Sequence, residues 1–458
     1  MTARPFPFLP LALVFSWMLA ACPARGEDWP QFRGPTGAGL SAESKLPAEW
    51  TADKNIAWKV KVPGAAWSCP VVWGDKVFLT TAITENQAPA GGGGGGGEGK
   101  GRPPRKGEGE GKGGGGRGAP PSATYRWEVQ CFDRATGNLL WKQLAAEKKP
   151  TISTHRTNTF ASETPVTDGE RVYAYFGMTG LYTYDVDGKP LWSKDLGSYS
   201  MRNGWGTGSS PALDAERLYI QCDNEDKSFL VAFNKKTGDE VWRVERDERS
   251  SWSTPYLWKN KQRTELIAMG RTLRSYDPAT GKVLWELGGL EGRVAATPVG
   301  DDAMLFFGTG GGQGTGPLYA IKAGAKGDIT LKDDQESNEG VAWRSERAGP
   351  SMPSPLLFKG NLYILDQRGV LACFEAATGK QLYRERVPGA RQFAASPWAY
   401  DGKVFCLDQE GSTHVIQAGA EFKVLATNPV GETCWASPAI AKGALFLRGA
   451  EHLFCIKP

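Results

Sequence analysis

The residues best suited to chemistry in this chain are tryptophans and arginines that recur in short segments just ahead of a series of prolines. Trp67 lies in "VPGAAWSCP", Arg156 and Asn158 in "STHRTNTFASETP", and Arg202, Asn203 and Trp205 in "SYSMRNGWGTGSSP". Arg249 and Trp252 follow in "RDERSSWSTP", Arg293 in "LEGRVAATP", Arg391 and Gln392 in "VPGARQFAASP", and Trp435 in "VGETCWASP". An indole stacks on planar groups, and a guanidinium binds carboxylates and phosphates through two parallel hydrogen bonds. The same pair of residue types also makes protein-binding hot spots. The competing reading is structural: tryptophans packed into an inner core, and arginines paired with local Glu and Asp.

Other catalytic chemistries lack their residues. His155, His414 and His452 are the only histidines and fall at unrelated positions, so they suggest no metal cluster. There is no Gly-x-Ser-x-Gly elbow to mark a Ser–His–Asp assembly. No CxxC or adjacent Cys–Cys pair occurs, so zinc, c-type haem and a vicinal disulfide have no ligands. Cys131, Cys373 and Cys455 sit at one repeat position and read as small buried hydrophobes. The acidic stretches "GDD" (Gly300–Asp302) and "CDNED" (Cys222–Asp226) read as solvated turns between strands.

The elements that must position these residues are announced by repetition. Pro70, Pro165, Pro211, Pro255, Pro298, Pro355, Pro397 and Pro438 each follow a small residue and open a strand, mostly 41 to 46 residues apart. Each unit continues through two apolar strands into a turn such as "CFDRATGNLLW" (Cys131–Trp141). In that turn Asp133 is placed to accept backbone N–H groups, and Gly137 supplies a positive φ. Trp141 then lies on the outer strand, packed between neighbouring sheets, with Trp192, Trp242, Trp285, Trp343 and Tyr383 at the equivalent places. Four short strands per unit of about 40–45 residues describe a β-propeller blade. The fold expected is therefore all-β: an eight-bladed propeller of four-stranded antiparallel blades. The eighth unit ends at Pro458 after three strands, and "NIAWKVKVPG" (Asn55–Gly64) puts Trp58 in the frame of the missing outer strand. The N-terminal strand is expected to complete the last blade and close the ring.

Composition bounds the rest. Of 458 residues, 40% are hydrophobic, enough for a sizeable core. The net charge of +4 is concentrated in the insert Gly91–Gly118, which holds six basic and three acidic residues. The remainder is nearly neutral and offers nucleic acid no electrostatic footing. Residues 1–26 read as an export signal around the apolar run Phe6–Ala21. Either Cys22 is lipidated at the lipobox-like "LAAC" (Leu19–Cys22), or cleavage follows "ARG" (Ala24–Gly26). Residues 27–54 are expected to form a coil packed on a propeller spanning 55–458. The glycine-rich insert, about 86–124, reads as a disordered loop of the first blade and a passive spacer.

"QCFDRATGNLLW", "VAFNKKTGDEVW" and "RSYDPATGKVLW" follow the tryptophan-docking motif Ala-x-Asp-x-x-Thr-Gly-x-x-x-Trp. In this the chain resembles the pyrroloquinoline-quinone (PQQ) alcohol-dehydrogenase-like propeller family. The leader "EDWPQFRGPTGAGLS" (Glu27–Ser41) also resembles the start of many secreted PQQ-like repeat proteins. Enzymes of that family hold PQQ and calcium in the central channel, with a carboxylate base and often adjacent cysteines. Other members are non-catalytic, among them the lipoprotein that serves outer-membrane β-barrel assembly. The resemblance admits both roles. The adjacent cysteines are missing here, and no Asn-Asp or Asp-x-Asp cluster stands at the channel position for a metal. The expectation is an exported, non-catalytic, monomeric scaffold with protein partners, without nucleic acid, and membrane-bound only through an N-terminal lipid. It would be periplasmic, envelope-associated or extracellular. The alternative is a PQQ-dependent or other small-molecule-binding oxidoreductase using the central channel.

Overall fold

The computed structural model describes residues 27–44, 46–51, 53–85, 119–310, 315–332 and 334–458. Among these, thirty-three strands assemble into eight sheets. The first blade runs Val71–Trp73, Lys76–Thr84, Tyr125–Asp133 and Leu139–Lys148, each strand antiparallel to the next. Six further blades repeat this order, and the eighth holds Ala439–Ala441, Ala444–Arg448 and His452–Ile456. Its outer strand is Ile56–Lys61, pairing antiparallel with His452–Ile456 and setting Trp58 opposite Cys455. The N-terminal strand therefore closes the ring as expected. Residues 1–26, including the export signal and Cys22, and the insert at 86–118 lie outside the described residues.

Burial explains why the strands differ in sequence. A middle strand such as Arg171–Phe176 faces a neighbouring blade on each side and is apolar and aromatic after its first residue, Arg171, and buried from there on. An outer strand such as Ile56–Lys61 alternates half-buried and exposed residues, because only one face meets a neighbour. Asp133 takes the N–H groups of Ala135 (3.1 Å) and Thr136 (2.8 Å) and the Thr136 hydroxyl (2.7 Å). Gly137 turns at φ +75° and lies flat beneath the indole of Trp58, where a Cβ would sit 2.7 Å from the ring. This glycine serves two purposes, a left-handed turn and a docking face. Gly188, Gly238, Gly281 and Gly379 meet Trp141, Trp192, Trp242 and Trp343 in the same way.

The indole N–H completes the joint by reaching the next blade. Trp58, Trp141, Trp242 and Trp343 donate to the carbonyls of Arg134, Val186, Pro278 and Ala376, each one residue past the start of its turn. The Trp192 nitrogen is buried without a partner. Trp285 departs from the pattern. It is fully buried and donates to Glu265 of its own blade at 2.6 Å. The fifth blade has no Thr-Gly turn for it to reach. That blade's long excursion instead sends Gly327–Asp328 to pair in parallel with Val283–Leu287, giving the fourth blade a fifth strand. At the seventh blade Ala426 replaces the aromatic, and Trp50 of the N-terminal coil enters the cluster it packs against.

No helix among the described residues is long and apolar enough to cross a membrane. The seven described cysteines are free. Cys131 and Cys373 lie directly across from Trp141 and Tyr383, and burial pushes both thiols up to about 12.

Candidate functional site

The innermost strands begin at the repeat prolines, and the residue before each proline faces the channel. Proline holds that residue extended, which aims its N–H around the ring. Cys69 N–H donates to Thr164 Oγ1, Thr164 to Ser210, Ser210 to Thr254, and Thr254 to Thr297, at 2.9 to 3.3 Å. Thr297 continues to Ser354, Ser354 to Ser396, and Ser396 to Ser437, at 2.8 to 3.0 Å. The Ser437 N–H and hydroxyl reach the Cys69 sulfur, so the belt closes on itself. All eight residues line one cavity of about 1270 Å³. The signal was present in the sequence as a small residue before each proline. Its role in joining blades was not apparent, because side-chain acceptors lie one blade away.

The N-terminal coil spans several blades. Trp29 bridges to Val72 of blade one, the Thr167 N–H of blade two donates to Pro30, Gly37 lies against Tyr256 of blade four, and Leu40 bridges to Ala399 of blade seven. Phe32 joins the cavity lining. Arg33 beside it is buried, with one nitrogen donating to the carbonyls of Ala38 and Pro355. Its Nε and Nη1 have no partner, and burial lowers its pKa to about 10.

Of the residues singled out from sequence, Trp67, Arg156, Asn158, Trp205, Trp252, Arg293, Arg391, Gln392 and Trp435 all line this cavity. Arg202, Asn203 and Arg249 do not. Arg202 and Asn203 lie on the exposed 3-10 turn Arg202–Gly204, with Asn203 at φ 53°, and Arg249 reaches Glu225 at 3.5 Å. Trp67 stacks on Trp435 with centroids 5.3 Å apart, and Trp205 lies 5.6 Å from Trp252. The Trp67 and Trp252 nitrogens donate to the carbonyls of Thr157 and Gly206, which fixes both rings. Arg293 lies over Trp205 at 5.7 Å, and Arg391 pairs with Glu410 at 3.2 Å. Asn158 is absorbed by the scaffold: its amide donates to the Trp205 and Thr207 carbonyls and accepts from Thr159 N–H and the Ser162 hydroxyl.

Two buried acids were not foreseen. Glu163, between the lining residues Ser162 and Thr164, is pushed up to about 7 by burial, partly offset by hydrogen bonds from Thr207 and nearby amides. The reading of "CDNED" as a solvated turn needs correction. Asp223 is buried and grips the fully buried Arg246 at 2.8 and 3.1 Å, and Arg246 also donates to the Tyr276 hydroxyl at 2.6 Å. Turn-forming composition hid the pair because Arg246 lies on another strand. Asp301 and Asp302, by contrast, are exposed, with Asp301 capping its own turn.

PQQ with calcium requires oxygen donors converging in the channel. The lining holds one carboxylate, Glu410, which is engaged by Arg391. Among the described residues no three His, Cys, Asp or Glu side chains group to hold a metal ion. These donors do not fit a calcium ion.

The fold and cavity can be set beside known proteins. Europium-containing methanol dehydrogenase superposes with a TM-score of 0.60 at 10% identity, covering 93% of this chain and 90% of that one. Quinohemoprotein alcohol dehydrogenase from Comamonas testosteroni gives 0.61 at 11% identity over 93% and 80%. BamB from Moraxella catarrhalis gives 0.51 at 12% identity over 74% and 95%. At these identities the likeness shows the fold alone. No curated protein matches the sequence. The family described as outer membrane protein assembly factor BamB (PQQ_2) matches residues 126–257, 230–354 and 325–421. The chain belongs to this PQQ-like, BamB-type family of repeat propellers.

Proposed function

We propose that this protein is an exported, non-catalytic scaffold of the cell envelope that holds a partner protein at its channel mouth. The observation that carries the reading is the make-up of that mouth. Two tryptophan pairs, Trp67–Trp435 and Trp205–Trp252, stand beside Arg156, Arg293 and Arg391 around a large cavity. Anchored aromatics and arginine are the residues that concentrate protein-binding energy. The hydroxyls deeper in the cavity accept the belt bonds, so they serve the scaffold first. The family's description concerns outer membrane protein assembly, and the apolar leader Phe6–Ala21 supports export. The test places a photo-crosslinking amino acid at Gln392 on the mouth or at Lys142 on the outer rim, in intact cells. Discrete protein adducts from Gln392 and none from Lys142 are expected. Equal labelling, or dye-linked alcohol oxidation by protein incubated with PQQ and calcium, would overturn the reading. Changing Cys22 to Ser separates the anchored form from the soluble one by membrane fractionation.

A further inference from the structure

We infer that the channel mouth recognises an acidic peptide segment. The inference deepens the scaffold reading and rests on it. Arg391 and Glu410 neutralise each other at the entrance. Arg156 and Arg293, also in the lining, have no carboxylate partner among the described residues. Among the described residues Glu410 is the only carboxylate in the lining, so the mouth carries a net positive charge.

The charge does not stop at the mouth. Arg33 is anchored to the carbonyl of Pro355, next to the belt residue Ser354. Arg448 is buried and donates to Ser68 and to the Thr80 carbonyl, next to the belt residue Cys69. Neither arginine has a carboxylate partner among the described residues, and burial lowers both to about 10. Two buried guanidinium groups adjoin the belt, as does one buried carboxyl, Glu163 beside Thr164. In a low-dielectric wall their field extends further into the cavity than surface charges would.

Its size and walls decide between a small anion and a peptide. About 1270 Å³ exceeds what a simple carboxylate or phosphate fills. The indole pairs flank the entrance, offering apolar surface for the chain between its acidic groups. Arg156, exposed, and Arg293, half-buried over Trp205, are placed to take two carboxylates of one segment.

The test titrates the full-length protein with capped hexaglutamate, capped hexalysine and tricarballylate, following tryptophan fluorescence and heat. Hexaglutamate should bind saturably at one per chain, and more weakly as salt is raised from about 20 to about 300 mM. Replacing both Arg156→Gln and Arg293→Gln should weaken it about tenfold or more without shifting the melting temperature. Arg202→Gln, outside the cavity, should leave affinity unchanged. The inference falls if hexaglutamate does not saturate, if hexalysine binds equally, or if Arg202→Gln costs as much as the double change. Equal affinity for tricarballylate would replace the peptide by a small polyanion. Persisting Gln392 adducts with no hexaglutamate binding would sink this inference and leave the scaffold reading intact. Hexaglutamate binding without adducts would do the reverse.

Discussion

The outer rim and the inner channel of this propeller are built on opposite plans. At the rim one joint recurs at five of the eight seams: an indole on a glycine, at four of them with its N–H on the next blade's turn carbonyl. Trp58, Trp141, Trp242 and Trp343 repeat it with neutral groups. Toward the channel only the pre-proline belt is repeated. What lies beside it is not repeated around the ring: the Phe32–Arg33 segment, Glu163, and two tryptophan pairs. Copies that must stack constrain one another, so the rim repeats one joint at most of its seams. A site needs asymmetry, so it appears where the copies differ.

The largest effect should come from a single-copy charge. Asp223→Ala takes from the buried Arg246 its closest carboxylate, leaving Glu248 at 4.0 Å, and should cost about 3–5 kcal/mol in chemical unfolding. A loss no greater than an ordinary surface change would show that this pair is not sealed from water. Glu163→Gln comes next. The carboxyl titrates near 7 when folded and near 4.5 when exposed, so the folded state binds the proton more tightly. Its contribution is complete below about 4.5 and is lost as pH rises to about 7. The variant should therefore gain up to about 3 kcal/mol over the wild type at pH 8 and show no advantage at pH 4. A pH-independent difference would contradict the burial argument.

Trp58→Ala tests the rim at the one place where it also closes the ring. The indole is half-buried, so about 2–3 kcal/mol is expected, with the termini exchanging backbone hydrogen first. Uniform exchange across all blades would mean that the seam is no weaker than the other joints. Ser396→Ala removes one of eight belt acceptors and should cost only about 1 kcal/mol. A loss of several kcal/mol would make the belt, not the rim, the main fastener.

The same contrast explains what could be read without coordinates. The Asp-x-x-Thr-Gly turn, the outer tryptophans and Trp58 before the first blade are local or periodic signals, and they yielded the ring and its closure. Most of the mouth residues were found because loops ahead of the prolines must gather at one end. Arg202 and Asn203 were misplaced with them, since nothing in "MRNGWG" marks the turn that carries them outward. The partners of Asp223, Arg33 and Cys69 come from different blades or strands. Such contacts depend on where the chain returns after another strand or a full blade, and composition carries no trace of them. Trp285 shows the limit from the other side. Its spacing is that of its relatives, yet its partner differs because the next blade lacks the turn.

The central claim is that the rim holds the ring together while the channel recognises the partner. The most direct test measures melting temperature and hexaglutamate affinity together for Trp141→Phe and Arg293→Gln. Trp141→Phe removes the indole bond to Val186 and should lower the melting temperature while leaving affinity unchanged. Arg293→Gln should weaken affinity several-fold while leaving the melting temperature unchanged. If either substitution moves both quantities together, or if Trp141→Phe is the one that costs affinity, the division between fastening rim and recognising channel is wrong.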